Sequence, residues 1–190
     1  MTTQTIGGLA ELVECLDDAV QRPTVEEVTS CVKETLTRIA SAGSLELPPA
    51  MTEPRADRYA RRLVHRSPRH GYTVIAMTWG PGQGTPLHDH AGMWCVEGVL
   101  QGEIEVCQYD LVEQRGERYR FHEEGVIRAV IGNAGALIPP FEYHTIANRS
   151  AVDKAVTLHI YAGEMTHCTI FEPRGDGWYE RQERQLSYHE

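Results

Sequence analysis

No apolar run in the chain approaches the roughly 18 to 20 residues that a membrane span needs, so no transmembrane helix is expected. Basic charge is scarce: 18 Lys and Arg stand against 27 Asp and Glu, a formal net charge of −9. Phosphate backbones bind basic surfaces, so nucleic acid is not an expected partner. The five cysteines, Cys15, Cys31, Cys95, Cys107 and Cys168, are odd in number and lack the regular spacing of a disulfide scaffold, which fits a reducing compartment. The opening MTTQTIGGLAELVECLDD carries acidic residues where a secretory leader is basic and has no continuous apolar segment, so a cytoplasmic location is expected. Internal repeats and low-complexity tracts are absent as well. What is present is 190 residues, 41% hydrophobic and 24% charged, the balance of one globular domain with a sizeable core.

The hydrophobic period changes once along the chain. Leu9, Leu12, Val13, Leu16 and Val20 recur at helical spacing over residues 7–21, and Val25, Val28, Val32, Leu36 and Ile39 do so over 24–41. Thr24 followed by Glu27 has the spacing of a capping box. Pro48, Pro49 and Pro54 mark a connection. Beyond it, short runs separated by Gly, Pro, Asn and Asp read as strands at 59–65, 72–79, 85–90, 93–99, 103–109, 118–121, 126–131, 136–138, 143–147, 155–161 and 168–171. Many short strands at this spacing predict a mainly β protein, an antiparallel jelly-roll barrel. Residues 1–50 are expected to be a helical lead-in packed on the barrel, 51–173 the barrel, and 174–190 a surface extension docked by Trp178 and Tyr179.

The stretch GQGTPLHDHAGMWCVEGVLQG, residues 82–102, carries the chemistry. His88 and His90 stand two residues apart, and side chains two apart on a strand share a face, so both imidazoles can converge on one metal ion. A third ligand must come from a pool that includes His144 and His159. Most of the other candidates have blander readings. Arg61 is one of four Arg in RADRYARR, a run that alone reads as a solvated face. Cys15, Cys31 and Cys107 sit in apolar periodic segments and read as packing residues, whereas Cys168 is placed near a site entrance. His65, His70, His122, His167 and His189 have no partner at ligand spacing and read as surface residues.

These residues resemble the cupin superfamily, whose first motif runs Gly, His-x-His, Glu, Gly. Here it reads Gly82, His88, His90, Cys95 and Gly102, with Cys at the Glu position. The second cupin motif is matched by Pro139, His144 and Asn148, with Phe141 where Gly is usual; by that match His144 becomes the third metal ligand. Glu97 can share a face with Cys95 but lies two residues past the usual ligand position, and it is read as a non-ligand. Three neutral imidazoles leave a cationic site with open positions, which suits an anionic bidentate substrate and O2 at iron, Fe(2+).

Within the cupins the chain is most similar to the cysteine dioxygenases, thiol dioxygenases that carry Tyr-x-Arg, Trp-Gly, His-x-His, a Cys, a later His, and Ser-x-His-x-Tyr. The corresponding residues are Tyr59 and Arg61, Trp79 and Gly80, His88 and His90, Cys95, His144, then Thr157, His159 and Tyr161. Thr157 stands where Ser is usual, and the segment AGMW before Cys95 differs from the animal enzymes. The resemblance implies that Arg61 binds a substrate carboxylate and that Tyr59 and Tyr161 line the substrate site. It further implies that Thr157 and His159 support Tyr161, and that Cys95 can be joined to Tyr161 by a thioether. It implies an enzyme that turns L-cysteine and O2 into cysteine sulfinic acid (3-sulfinoalanine), as a monomer acting on small-molecule thiols. Two alternatives remain open at this stage. One is the same reaction on 3-mercaptopropionate, whose enzymes tend to carry Gln at the Arg61 position; the other is a non-redox metal-binding cupin, an isomerase or small-ligand sensor.

Overall fold

A computed structural model describes residues 5–189. Two helices lead, α1 (Leu9–Ala19) and α2 (Val25–Ala42). Thr24 starts α2 by accepting a hydrogen bond from the Glu27 amide at 3.2 Å, and Gly43, in the left-handed region at φ 62°, ends it. Both expected helices are present with ends shifted by one to two residues.

A single 3₁₀ turn at Pro49–Met51 precedes eleven strands. They are β1 (Ala60–Arg66), β2 (Thr73–Trp79), β3 (Leu87–His88), β4 (Cys95–Gln101), β5 (Glu103–Arg115), β6 (Arg118–Val130), β7 (Ala134–Leu137), β8 (His144–Ala147), β9 (Ala155–Tyr161), β10 (His167–Pro173) and β11 (Tyr179–Gln185). One antiparallel sheet has the order β1-β2-β9-β4-β7, and the other runs β10-β11-β6-β5-β8-β3 and closes through β3 on β10. The fold is therefore the mainly β jelly roll with N-terminal helices that the strand pattern predicts.

Period-2 alternation assigns the two faces of the first sheet. Val74 and Ala76 of β2, Val96 of β4, and Leu158 and Ile160 of β9 point outward and pack with Leu12, Leu16, Val32, Leu36 and Ile39 of the helices. Ile75, Met77, Trp79, Cys95, Val99 and Tyr161 point inward, into the space between the sheets. Strands β2 and β9 are buried along their whole length because helices cover one face and the second sheet covers the other. Leu36, 1% exposed, sits where a Cβ on Gly98 would come within 3.2 Å, so helix and sheet meet without slack. Leu36→Ala is expected to cost about 2–5 kcal/mol of stability, the usual range for a cavity of this size, read from urea unfolding at unchanged slope.

The structure departs from the expected strands in four places, the first being that β5, expected to end at 109, continues to Arg115. Residues 118–121 and 126–131 are not separate strands: β6 runs unbroken through His122–Gly125, paired to β5 from Arg118↔Arg115 to Val130↔Glu103. The intervening charges read as a loop because this two-stranded ribbon is largely exposed and held by its backbone ladder rather than by burial. The segment expected at 85–90 is a strand only at Leu87–His88. The tail contains a strand that its sequence does not announce: β11 pairs with β10 along seven residues and touches β6 at Tyr179↔Tyr119. Its sequence YERQERQ shows no apolar alternation because its side chains are exposed, so only hydrogen bonding marks it as a strand. Trp178 does dock, 8% exposed, with the Arg115, Arg118 and Arg120 guanidinium groups 5.3, 5.1 and 4.6 Å from its ring.

Candidate metal centre

His88 lies on β3, His90 two residues further, and His144 opens β8 directly opposite His88 in the ladder. One ligand atom from each lies within 4.8 Å of the others. The Nδ1 of His88 faces the Pro86 carbonyl at 3.1 Å and that of His144 faces the Glu142 carbonyl at 3.0 Å. A carbonyl only accepts, so both Nδ1 atoms carry the proton and both Nε2 lone pairs are left for a cation. Burial, followed by the neighbouring imidazoles, holds His90 well below the usual histidine range; burial likewise pulls His88 and His144 down. Neutral imidazole is the ligating form, and His90 Nδ1 is a buried nitrogen with no hydrogen-bond partner. The donor set fits a divalent metal of imidazole preference.

The cluster faces a cavity of about 20 Å³, whose wall includes Tyr59, Arg61, His159, Tyr161, Cys168 and Leu186. Arg61 is 3% exposed; its Nη2 donates to the Met165 carbonyl at 3.3 Å and its Nη1 to the Ser187 carbonyl at 3.5 Å, with the Tyr188 ring 5.5 Å away. Tyr59 stacks on Trp79 at 4.6 Å. The Trp79 indole N–H donates to Thr157 Oγ1 at 2.9 Å, and Thr157 Oγ1 meets His159 Nε2 at 2.7 Å. Cys95 and Tyr161 are directly opposite on β4 and β9. Burial above all pushes both the Cys95 thiol and the Tyr161 hydroxyl well above their ordinary pKa values.

Tyr59, Arg61, His88, His90, His144, His159 and Tyr161 thus share one cavity, with Cys168 also on its wall, while Cys95 and Thr157 adjoin it through Tyr161 and His159. His159 and Tyr161 have parallel rings 6.1 Å apart, but the hydrogen bond of His159 goes to Thr157. Three histidines read as surface residues are not: His65 and His70 are half-buried, and His189 Nδ1 accepts the Arg61 amide at 3.0 Å. His122 and His167 are exposed. Phe141, in the position where the cupin motif has Gly, is 71% exposed. Asn148 is structural: its Nδ2 donates to the carbonyls of Trp79 and Gly80, both at 3.2 Å, and of Asp153 at 2.8 Å, closing the loop between β8 and β9.

The residue that motif spacing set aside is Glu97. Its Oε2 lies 3.8 Å from His144 Nε2 and 3.4 Å from His159 Nδ1, its side chain is 9% exposed, and burial pushes its carboxyl up to about 8. A bound cation would act in the opposite direction. A carboxylate within the otherwise apolar run CVEGVL, on the Cys95 face, was the available signal. Leu186 at the cavity and Ser187, Tyr188 and His189 around Arg61 gave no comparable signal.

Neutral histidines gathered inside a double-sheet barrel, at the motif positions described above, define a cupin with a metal site. More particularly, the family model for cysteine dioxygenase type I matches residues 6–174, and the chain belongs to that family. It is 26% identical over 117 residues to cysteine dioxygenase type 1 of Rattus norvegicus and 27% identical over 120 residues to that of Danio rerio. Each alignment covers 62% of this chain and 57% of the relative. Among solved structures, a protein of Thermus thermophilus is similar at TM-score 0.47 and 22% identity, over 60% of this chain and 91% of that one.

Proposed function

We propose that the protein is an Fe(II)-dependent thiol dioxygenase that converts L-cysteine and O2 to cysteine sulfinic acid. The observation that carries this reading is the placement of the three-histidine cluster and the buried Arg61 guanidinium on one small cavity. The reaction balances as thiol plus O2 giving sulfinic acid, with both oxygen atoms ending on sulfur and no external reductant required. Iron, when bound, supplies open positions for a soft thiolate and the redox chemistry that O2 requires.

The chain's own residues do the rest. Arg61 pairs its planar, permanently charged fork with the substrate carboxylate, fixing the thiol toward the histidines. Two of its five donors are held by the Met165 and Ser187 carbonyls, so the fork is oriented before substrate arrives. Tyr161, on the wall of the same cavity, offers its hydroxyl to the bound substrate. Tyr59, held against Trp79, closes the side of the cavity and keeps water out. The rung Cys95↔Tyr161 also places the two partners of a thioether side by side; that bond would form by loss of two hydrogens to O2. Five free thiols support a reducing compartment, and among the described residues no helix is long and apolar enough to cross a membrane.

The test is O2 consumption by anaerobically Fe(II)-loaded protein with L-cysteine, 3-mercaptopropionate and cysteamine in parallel, with products identified by mass spectrometry. Preferential uptake with L-cysteine, yielding the sulfinate, is the expected result. Preference for 3-mercaptopropionate would transfer the same chemistry to a substrate without the amine. No uptake with any thiol would overturn the reading.

A further inference from the structure

We infer that Glu97 is a positioning residue for His159, accepting the Nδ1 proton of that ring and so fixing its plane. The inference rests on the thiol dioxygenase reading only for its effect on rate; the hydrogen-bond chain itself is independent of it.

The ladder brings the two residues together. On three successive inward positions β4 sets Cys95, Glu97 and Val99 directly opposite Tyr161, His159 and Thr157 of β9. On its other side Glu97 faces Gly135 of β7, which has no side chain to compete for the carboxylate. Glu97 Oε2 and His159 Nδ1 are both buried without a hydrogen-bond partner, and they face each other at 3.4 Å. Two such orphans rarely coexist unless they serve one another or a bound group, since an unpaired buried polar atom costs about 1–3 kcal/mol.

Proton accounting along the chain gives the direction. The indole of Trp79 can only donate, so Thr157 Oγ1 accepts from it. The one hydroxyl proton of Thr157 then has His159 Nε2, 2.7 Å away, as its acceptor. A ring that accepts at Nε2 and is neutral carries its proton on Nδ1, where Glu97 stands; burial and the charge of Arg61 pull His159 down to about 3 and keep it neutral. The resulting line runs from Trp79 through Thr157 and His159 to Glu97 and fixes the plane of the ring beside the metal cluster and Tyr161.

Glu97 is the partner of His159 rather than a fourth metal ligand on present geometry. Its oxygen is 3.8 Å from His144 Nε2 but falls outside the group whose ligand atoms are mutually within 4.8 Å.

The experiment is nitrogen-15 NMR of histidine-labelled, Zn(II)-loaded protein, together with metal content and steady-state kinetics of the Fe(II) form, for wild type, Glu97→Gln and Glu97→Leu. Wild type should show His159 as the Nδ1–H tautomer, and Glu97→Gln should keep it, because the amide oxygen still accepts. Glu97→Leu should keep the tautomer, which the Trp79–Thr157 donation sets, but lose the partner of the Nδ1 proton, seen as shifted Nδ1 nitrogen and proton resonances and faster exchange of that proton, with an unchanged or higher Tm. Its kcat should fall about 10- to 100-fold, the usual effect of losing such a partner, with KM and metal content little changed. Three results would each overturn the inference: an Nε2–H tautomer in wild type, a wild-type spectrum in Glu97→Leu, or loss of metal in both variants, which would make Glu97 a ligand. If no thiol is oxidised at all, the NMR result still decides the inference, and the failure falls on the dioxygenase reading alone.

Discussion

His144→Ala should leave the protein folded and essentially metal-free, with iron in the purified protein near background and thiol-dependent O2 uptake down by at least about 100-fold, beyond what the loss of an outer partner causes. The size of the effect follows from the composition of the cluster. All three ligands are neutral, so none contributes the long-range attraction of a carboxylate, and affinity depends on three preoriented lone pairs acting together. Two of the three rings are oriented by backbone carbonyls, those of Pro86 and Glu142. Removing His144 therefore deletes one of the best-oriented donors and leaves the Glu142 carbonyl without its side-chain partner, a local cost of about 1–3 kcal/mol that a domain of this size can absorb. Circular dichroism and urea unfolding would show the fold retained, and metal analysis would show the site lost. Full metal retention in His144→Ala would move the metal to other ligands and remove the cluster from its proposed role.

Much of the site could be read from the sequence because strand periodicity converts spacing into geometry. Thr157, His159 and Tyr161, alternating with Leu158 and Ile160, all turn inward on β9, whereas His88 and His90 converge even though β3 ends at His88. What could not be read depends on which strands become neighbours. Glu97 acquires its meaning only because β4 lies beside β9 in a register that sets it opposite His159. Register is fixed by the whole sheet and leaves no mark in a local window. The C-terminal strand was missed for a related reason: β11 is held by its ladder to β10, and exposed side chains carry no hydrophobic period. The same strand brings Leu186 to the cavity and Ser187 to Arg61, so part of the wall around the metal cluster comes from the segment whose sequence pattern is least informative.

Arg61→Ala should lower kcat/KM for L-cysteine roughly 100-fold, equivalent to about 3 kcal/mol for a charge-assisted interaction, mainly through KM. Two physical roles compete at this residue. Its side chain can bind the substrate carboxylate, yet it already donates to Met165 and Ser187, and its backbone exchanges hydrogen bonds with His189. Truncation therefore removes an anchor of the tail as well as a positive charge. Cysteamine, a thiol with the amine but no carboxylate, separates the two. If Arg61 serves the carboxylate, cysteamine turnover changes by less than about threefold while L-cysteine and 3-mercaptopropionate fall together. Arg61→Lys then recovers only part of the loss, since a point charge replaces the fork. If all three thiols fall equally, Arg61 acts by holding residues 186–189 against the cavity, and substrate selectivity must be sought elsewhere in the wall. The burial of Arg61 favours the first outcome: a guanidinium 3% exposed with no carboxylate among its hydrogen-bond partners is a charge awaiting a counter-ion, and the small cavity beside the histidines is where an anionic substrate would supply it.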